Sequence, residues 1–290
     1  MRRALHTPGI VIGLGILVVI AFCAFVLPAL MHLDPYTVEA SARLSPSSAA
    51  HPLGTDNYGR DLLARVLAGA TASLTVGASV ALLSVIFGTA IGIAAVFSTA
   101  LDEVLMRVCD GLMAIPSILL AVALAAALGP STTNLITALT IVYTPGIARL
   151  VRSRALAVKS AMFVEASISA GAKPLHLLFR HLLPNTLSVI TVQATFTFAE
   201  SIIVEAAMSF LGAGVPAPAA SWGNILYDGK AVVASAPNMI VYTSLALIIT
   251  VLGLNLLGDG LRDLVDPRTR VARSKESVRT AKLANQGAVA

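Results

Sequence analysis

Glu165-Ala-Ser-Ile-Ser-Ala-Gly171-Ala-Lys-Pro174-Leu-His-Leu-Leu-Phe-Arg-His181-Leu-Leu-Pro184-Asn185 is polar and basic, yet it lies between long apolar segments. Gly171 suits a turn or helix C-cap. Pro174 suits the first position of a helix, where its missing amide is not needed. Leu175, Leu178, Phe179 and Leu182 then recur at helical spacing. The stretch reads as a short helix, a turn and a second short helix. A solvated loop between spans would explain the basic residues, but it does not need a second amphipathic helix. A folded helix-turn-helix at a membrane surface reads as a docking element.

The remaining composition agrees with a membrane setting. The 290 residues are 57% hydrophobic and 12% charged, with a mean hydropathy of +0.85. Soluble domains carry about 25% charged residues. The net charge of +5 sits at segment ends and in loops, which fits membrane orientation and argues against nucleic acid as a partner. Cys23 and Cys109 lie far apart and show neither a disulfide framework nor metal-ligand spacing, so they read as small packing residues. Arg2 and Arg3 precede an apolar run at 10–31 that is too long for a signal-peptide core. It reads as an uncleaved first span.

About 20 apolar residues cross a bilayer core of about 30 Å. Spans are expected at 10–31 and 71–97, the second from 36 uncharged residues between Arg65 and Asp102. The 38 uncharged residues between Asp110 and Arg149 would make one helix of about 57 Å. Gly129-Pro130-Ser131 divides them into spans at 111–128 and 132–148, with further spans at 186–211 and 237–257. The reading is an all-α polytopic protein of six transmembrane helices. With the N-terminus in the cytoplasm, 16 of the 20 basic residues fall inside and 4 outside. That places both termini in the cytoplasm, residues 32–70 outside the membrane and residues 149–185 inside. Residues 1–9 form a cytoplasmic N-terminus, 10–270 the transmembrane domain, and 271–290 a polar, disordered tail.

Gly54-Thr55-Asp56-Asn57-Tyr58-Gly59-Arg60-Asp61 is a Gly-punctuated turn leading into a helix. Asp61 suits the cap of that helix, and Arg60 suits pairing with a nearby acid. Gly-x-x-x-x-Gly followed by Arg-Asp fails as a phosphate loop, which requires Lys-Ser/Thr. Glu200 and Glu205 fall in the fifth span, where a carboxylate faces a bundle interior or a water-filled cavity. Five residues at about 100° each put them about 140° apart, so they do not share a face. The two readings are cavity lining near substrate and helix pairing. Trp222, the only tryptophan, reads as an interfacial anchor or as part of a surface under a binding protein. Gly88-Thr-Ala-Ile-Gly92 suits close helix packing.

The stretch from Glu165 resembles the EAA loop of ABC-importer permeases: Glu-Ala-Ala, three residues, Gly, nine residues, then Ile-x-Leu-Pro. Glu165, Ala166, Gly171, Leu183 and Pro184 match, whereas Ser167 replaces an Ala and His181 stands where Ile is commonest. Gly54–Asp61 resembles the Gly-Thr-Asp-x-x-Gly-Arg-Asp signature of the dipeptide/oligopeptide/nickel permeases. Residues 200–214, 221–229 and 255–268 resemble later segments of the same family. The chain is thus similar to a DppC/OppC-type subunit over about residues 10–270.

The resemblance implies a type I ABC importer permease fold with cytoplasmic coupling helices, in the inner membrane of a prokaryote. It implies that Glu165, Ala166, Gly171, Ala172, Pro174, His181 and Pro184 couple to an ATPase. Glu200 and Glu205 would belong to the substrate pathway or to helix pairing. Gly54, Thr55, Asp56, Gly59, Arg60, Asp61 and Trp222 would serve periplasmic architecture or binding-protein contact. Implied partners are a homologous second permease, two ABC ATPase subunits, an extracytoplasmic substrate-binding protein and the lipid bilayer. No catalytic residue or metal site is expected in this chain. ATP and Mg would sit on the ATPases, because no Walker A sequence occurs here. The cargo class would be di- or oligopeptides, haem or nickel complexes, carried inward by alternating access.

Two other classes compete. An intramembrane aspartyl protease would use Tyr227-Asp228 and a Gly-x-Gly-Asp before Asp259, but Leu256 occupies the first Gly position. An ATP-independent secondary transporter or channel would show internal repeats or broken helices around a midplane site, and would leave the docking loop without a partner.

Overall fold

The computed structural model describes residues 8–265. The expected tail at 271–290, and Arg2, Arg3 and Arg268, lie outside the described residues. Within them the chain is helical, with one isolated bridge between Thr55 and Asp61. Five helices are long and apolar enough to cross a membrane, and a sixth crossing exists if one sharply bent pair counts as a span.

The first crossing, α1 (Pro8–Phe25), leads into the short α2 (Leu27–Leu30). After a loop, α3 (Leu62–Phe97) runs for 36 residues. It begins earlier than the expected 71. The Asp61 carboxylate caps it by accepting the Ala64 amide at 2.8 Å. Leu62, Val66, Leu67 and Ala70, all buried, extend its apolar face through that first stretch.

The expected span at 111–128 is corrected. α4 (Thr99–Met113) and α5 (Ser117–Leu128) meet at a 94° bend. Pro116 ends the α4 direction, and α5 alone covers only about 18 Å. α4 carries Asp102, Glu103, Arg107 and Asp110, so it is amphipathic rather than uniformly apolar. Gly129, at φ +88°, closes α5, and Ser131 caps α6 (Thr132–Lys159). α6 runs well past the expected 148. Arg149, Arg152, Arg154 and Lys159 are therefore helical residues, not loop residues. Arg152 forks onto Asp102 of α4, and Arg149 lies 3.5 Å from Asp110.

α7 (Met162–Ser169) and α8 (Pro174–Leu177) are the two short helices expected from the opening stretch. The second does not stand alone. It winds through a π turn, Leu178–Leu182, into α9 (Leu183–Phe210). Pro184 has no amide for the carbonyl four residues back, and the wider turn lies just ahead of it. α10 (Trp222–Lys230) precedes the last crossing, α11 (Asn238–Val265).

Small residues set the helix spacing. A Cβ on Gly92 of α3 would lie 2.5 Å from the Ala148 carbonyl oxygen of α6, and one on Gly88 2.7 Å from Ile147. Gly88 and Gly92 thus allow the close crossing expected of them. On the opposite flank, a Cβ on Gly13 of α1 would lie 2.6 Å from the Leu257 amide nitrogen of α11. One apolar cluster joins α1, α3, α9, α10 and α11. A second lies where α3, α6, α7, α8 and α9 converge. A third gathers α3, α5, α6 and α9 at the other end.

Candidate functional site

The α7–α8 unit owes its shape to a Schellman closure. The Gly171 amide donates to the Ile168 carbonyl at 2.9 Å and the Ala172 amide to Ser167 at 3.1 Å, with Gly171 at φ +85°. Pro174 occupies the start of α8. Val164, Leu177 and Leu182 turn inward as part of the second cluster, and Ala172 packs against them. Met162, Phe163, Ile168, Leu175 and Phe179 turn outward, Met162 being 85% and Leu175 69% exposed. Glu165 and Ala166 are exposed beside them, and Glu165 has no ion pair among the described residues. His181 is half-buried, its ring 5.7 Å from both Phe163 and His176. Pro184 is exposed at the start of α9. The result is an apolar knob with a carboxylate at its edge, anchored from behind by the bundle.

The two carboxylates of α9 part company. Glu205 is fully buried and accepts hydrogen bonds from Ser73 of α3 at 2.6 Å and from Ser209 at 2.7 Å. It pairs helices. Glu200 is exposed on the opposite side, in a cleft of about 310 Å³ that Tyr143, Gln193 and Thr197 also line. The angular separation of the two glutamates was readable from their spacing. Their partners were not, because Ser73 is 132 positions away from Glu205.

At the far end from the knob, residues 54–61 form a compact tie. Asp56, buried, accepts from the Tyr58 amide at 2.8 Å, the Arg60 amide at 2.9 Å and Arg60 Nε at 2.6 Å. Arg60 also reaches Asp228 of α10 at 3.3 Å. Burial pushes the Asp228 carboxyl up, and Arg60 and Arg65 pull it back. The Thr55 hydroxyl donates to the Ala42 carbonyl and accepts the Ser45 amide at 2.8 Å. Gly59 stands at φ +82°, and a Cβ there would fall 2.0 Å from the Glu39 carbonyl oxygen. Gly54 is likewise at φ +83°. Asp61 caps α3 and also meets His51 Nδ1 at 2.8 Å.

Trp222 is not the interfacial anchor of one sequence reading, and its place fits the architectural alternative. Its side chain has no exposure and donates from Nε1 to the Val66 carbonyl at 3.1 Å. It fills the first cluster. Its polar atom is satisfied by backbone, which offsets the cost of taking it out of water.

Comparison with known proteins places these features in context. Residues 84–271 match the family described as "Binding-protein-dependent transport system inner membrane component". The chain is 44% identical, over 93% of its length and 91% of the other's, to a Brucella suis chain assigned by name to a peptide transport system as its permease protein. It is 39% identical to the dipeptide transport system permease protein DppC of Alkalihalophilus pseudofirmus, over 90% of this chain and 86% of that one. It is 40% identical to the glutathione transport system permease protein GsiD of Pectobacterium atrosepticum, over 89% and 86% of the two chains. Among solved structures, a chain of the MetNI methionine ABC transporter in an inward-facing form superposes with a TM-score of 0.59 at 23% identity. The match covers 71% of this chain and 96% of that one. That likeness concerns the fold.

Proposed function

Because the chain belongs to the binding-protein-dependent transport system inner membrane components, we propose that it imports di- or oligopeptides by alternating access, driven by separate ATPase subunits. The observation that carries the coupling part is the α7–Gly171–α8 knob. Its outward residues are large and apolar, its backbone is closed by a glycine-dependent cap, and its inner face is continuous with α6 and α9. A groove on an ATPase that receives Leu175 and Phe179 would transmit its movement directly into α9 through the π turn. Glu165, at the rim, suits a basic partner in that groove. Ala166, Ala172, Pro174, His181 and Pro184 shape or border the same knob. ATP and Mg belong to the ATPases in this reading.

The peptide cargo is supported by relatives whose names specify peptide, dipeptide and glutathione transport. A homologous second permease completes the pathway, and a binding protein delivers cargo to the end that carries the Asp56 tie. The excess of basic residues at the knob end supports a cytoplasmic location for that end and for both termini.

The test is ATPase activity of the complete importer in lipid vesicles, with its binding protein loaded with peptides, haem or a nickel complex. Stimulation by peptide alone, lost in Glu165→Ala or Gly171→Val, is the expected result. Stimulation by haem or nickel alone replaces the cargo assignment, and absence of any co-purifying ATPase overturns the coupling reading.

A further inference from the structure

One face of α9 is only partly covered by the chain's own packing, with Glu200 exposed and Val189, Gln193 and Phe196 half-buried. Val189, Gln193, Phe196 and Glu200 recur at spacings of three and four and share that face. It borders two clefts that meet at Gln193. The first, of about 310 Å³, holds Glu200 with Tyr143 and Thr197. The second, of about 480 Å³, is lined by Val189 and Phe196 and ends at Arg154 of α6 and Arg262 of α11. This face spans about 16 Å from Glu200 to Val189, the reach of about five extended residues.

The charges along this face are unpaired. Among the described residues, Glu200 makes no hydrogen bond or ion pair, and neither do the side chains of Arg154 and Arg262. Glu205, five residues on, is bonded to two serines, so the helix does satisfy a carboxylate where packing alone is served. An unpaired carboxylate inside a membrane span is costly and marks a site that meets its counter-ion from outside. The groups around Glu200 are neutral: a phenol, a primary amide and a hydroxyl. Each offers an oxygen acceptor, which suits a small cation with three N–H donors.

We propose that this face is a bipolar track for zwitterionic cargo. Glu200 receives the free α-ammonium end of the cargo, and Arg154 with Arg262 receives its carboxylate end. The proposal rests on the peptide-cargo reading above. Glu200 and the two arginines act as specificity determinants within the permease, downstream of whatever the binding protein selects.

The experiment uses the complete importer in proteoliposomes with its own binding protein at saturating cargo. The cargo is a library of tri- to pentapeptides, offered with free ends, N-acetylated or C-amidated, and uptake is read by mass spectrometry. Wild type should import free peptides about tenfold faster than N-acetylated ones. Glu200→Gln should shrink that ratio to less than about threefold with the amidation ratio unchanged, and Glu200→Asp should largely retain it. Arg154→Gln with Arg262→Gln should shrink the amidation ratio instead. The binding protein is constant, so a changed ratio belongs to the permease. Equal ratios in wild type and Glu200→Gln overturn the proposal while peptide import stands. Loss of the second permease on purification of Glu200→Gln also overturns it, by showing a subunit ion pair. Failure of wild type to import any free peptide removes the peptide reading itself, and the proposal with it.

Discussion

The Glu205 carboxylate accepts a 2.6 Å hydrogen bond from the Ser73 hydroxyl, tying α9 to α3 in a site closed to solvent. Ser209 bonds the other carboxylate oxygen at 2.7 Å and itself accepts the Val215 amide at 3.0 Å, so the loop after α9 is part of the same chain of bonds. Glu205→Leu removes the acceptor for two buried hydroxyls. Each unsatisfied group costs about 1–3 kcal/mol. The expected result is a clear fall in thermal unfolding temperature in detergent and in purified yield. Glu205→Gln keeps an acceptor and should fall much less. Equal behaviour of the two variants would show that the bonds contribute nothing.

Gly171 presents a different kind of constraint. A Cβ there meets nothing within 4 Å, so the restriction is the backbone at φ +85° and not space. A left-handed conformation costs an L-residue about 1–2 kcal/mol, and a β-branched one suffers most. Gly171→Val should open the Schellman closure and misplace α7 relative to α8. Expression and unfolding temperature should stay near wild type, while binding-protein-stimulated ATPase activity drops severalfold. Gly171→Asn, which tolerates the left-handed region, should recover most of it. Normal stimulation in Gly171→Val would remove the knob from the coupling pathway.

Legibility in the sequence followed the range of the interactions involved. The α7–Gly171–α8 unit was readable because its cap, turn and apolar spacing are all local. Asp61 as a helix cap and the break at Gly129 were readable for the same reason. The bend between α4 and α5 was not foreseen. A 38-residue uncharged run from Asp110 marks apolarity but says nothing of a change in direction at Pro116, and the helix starts upstream among charged residues. The length of α6 was missed because four basic residues resemble a loop, although Arg152 is held there by Asp102, 50 positions earlier. The choice between the readings of Trp222 was not legible, because composition shows an aromatic near a span end and cannot show that Val66 and the first cluster enclose it.

Glycine positions in α3 and α4 should respond in opposite directions. A Cβ on Gly92 would stand 2.5 Å from the backbone oxygen of Ala148, which cannot move without shifting α6. Gly92→Ala should destabilise by about 1–3 kcal/mol, as overpacking does. Gly111 of α4 has nothing within 4 Å of the same added atom. Gly111→Ala should be neutral or stabilise by about 0.5–1 kcal/mol, through reduced backbone freedom in the unfolded chain. Thermal unfolding of both variants in one detergent decides the matter, and a stabilised Gly92→Ala would contradict the close α3–α6 crossing.

Asp56 has the greatest leverage outside the membrane bundle. The Arg65 side chain is almost wholly buried, and its Nε has no hydrogen bond, lying 3.9 Å from Asp56. Its charge is balanced locally by Asp56, which also anchors Arg60 and two amides of the 54–61 turn. Asp56→Asn keeps the shape and deletes the charge. Removing one partner of a buried pair costs about 3–5 kcal/mol, because the other is left uncompensated. The expected outcome is a large drop in unfolding temperature. Adding Arg65→Gln to Asp56→Asn should restore part of that loss, since no buried cation then remains unmatched. Asp34→Asn, on an exposed side chain with local partners only, should leave the temperature unchanged. A double variant no better than Asp56→Asn alone would mean that the turn's hydrogen bonds, and not the charge of Arg65, make Asp56 necessary.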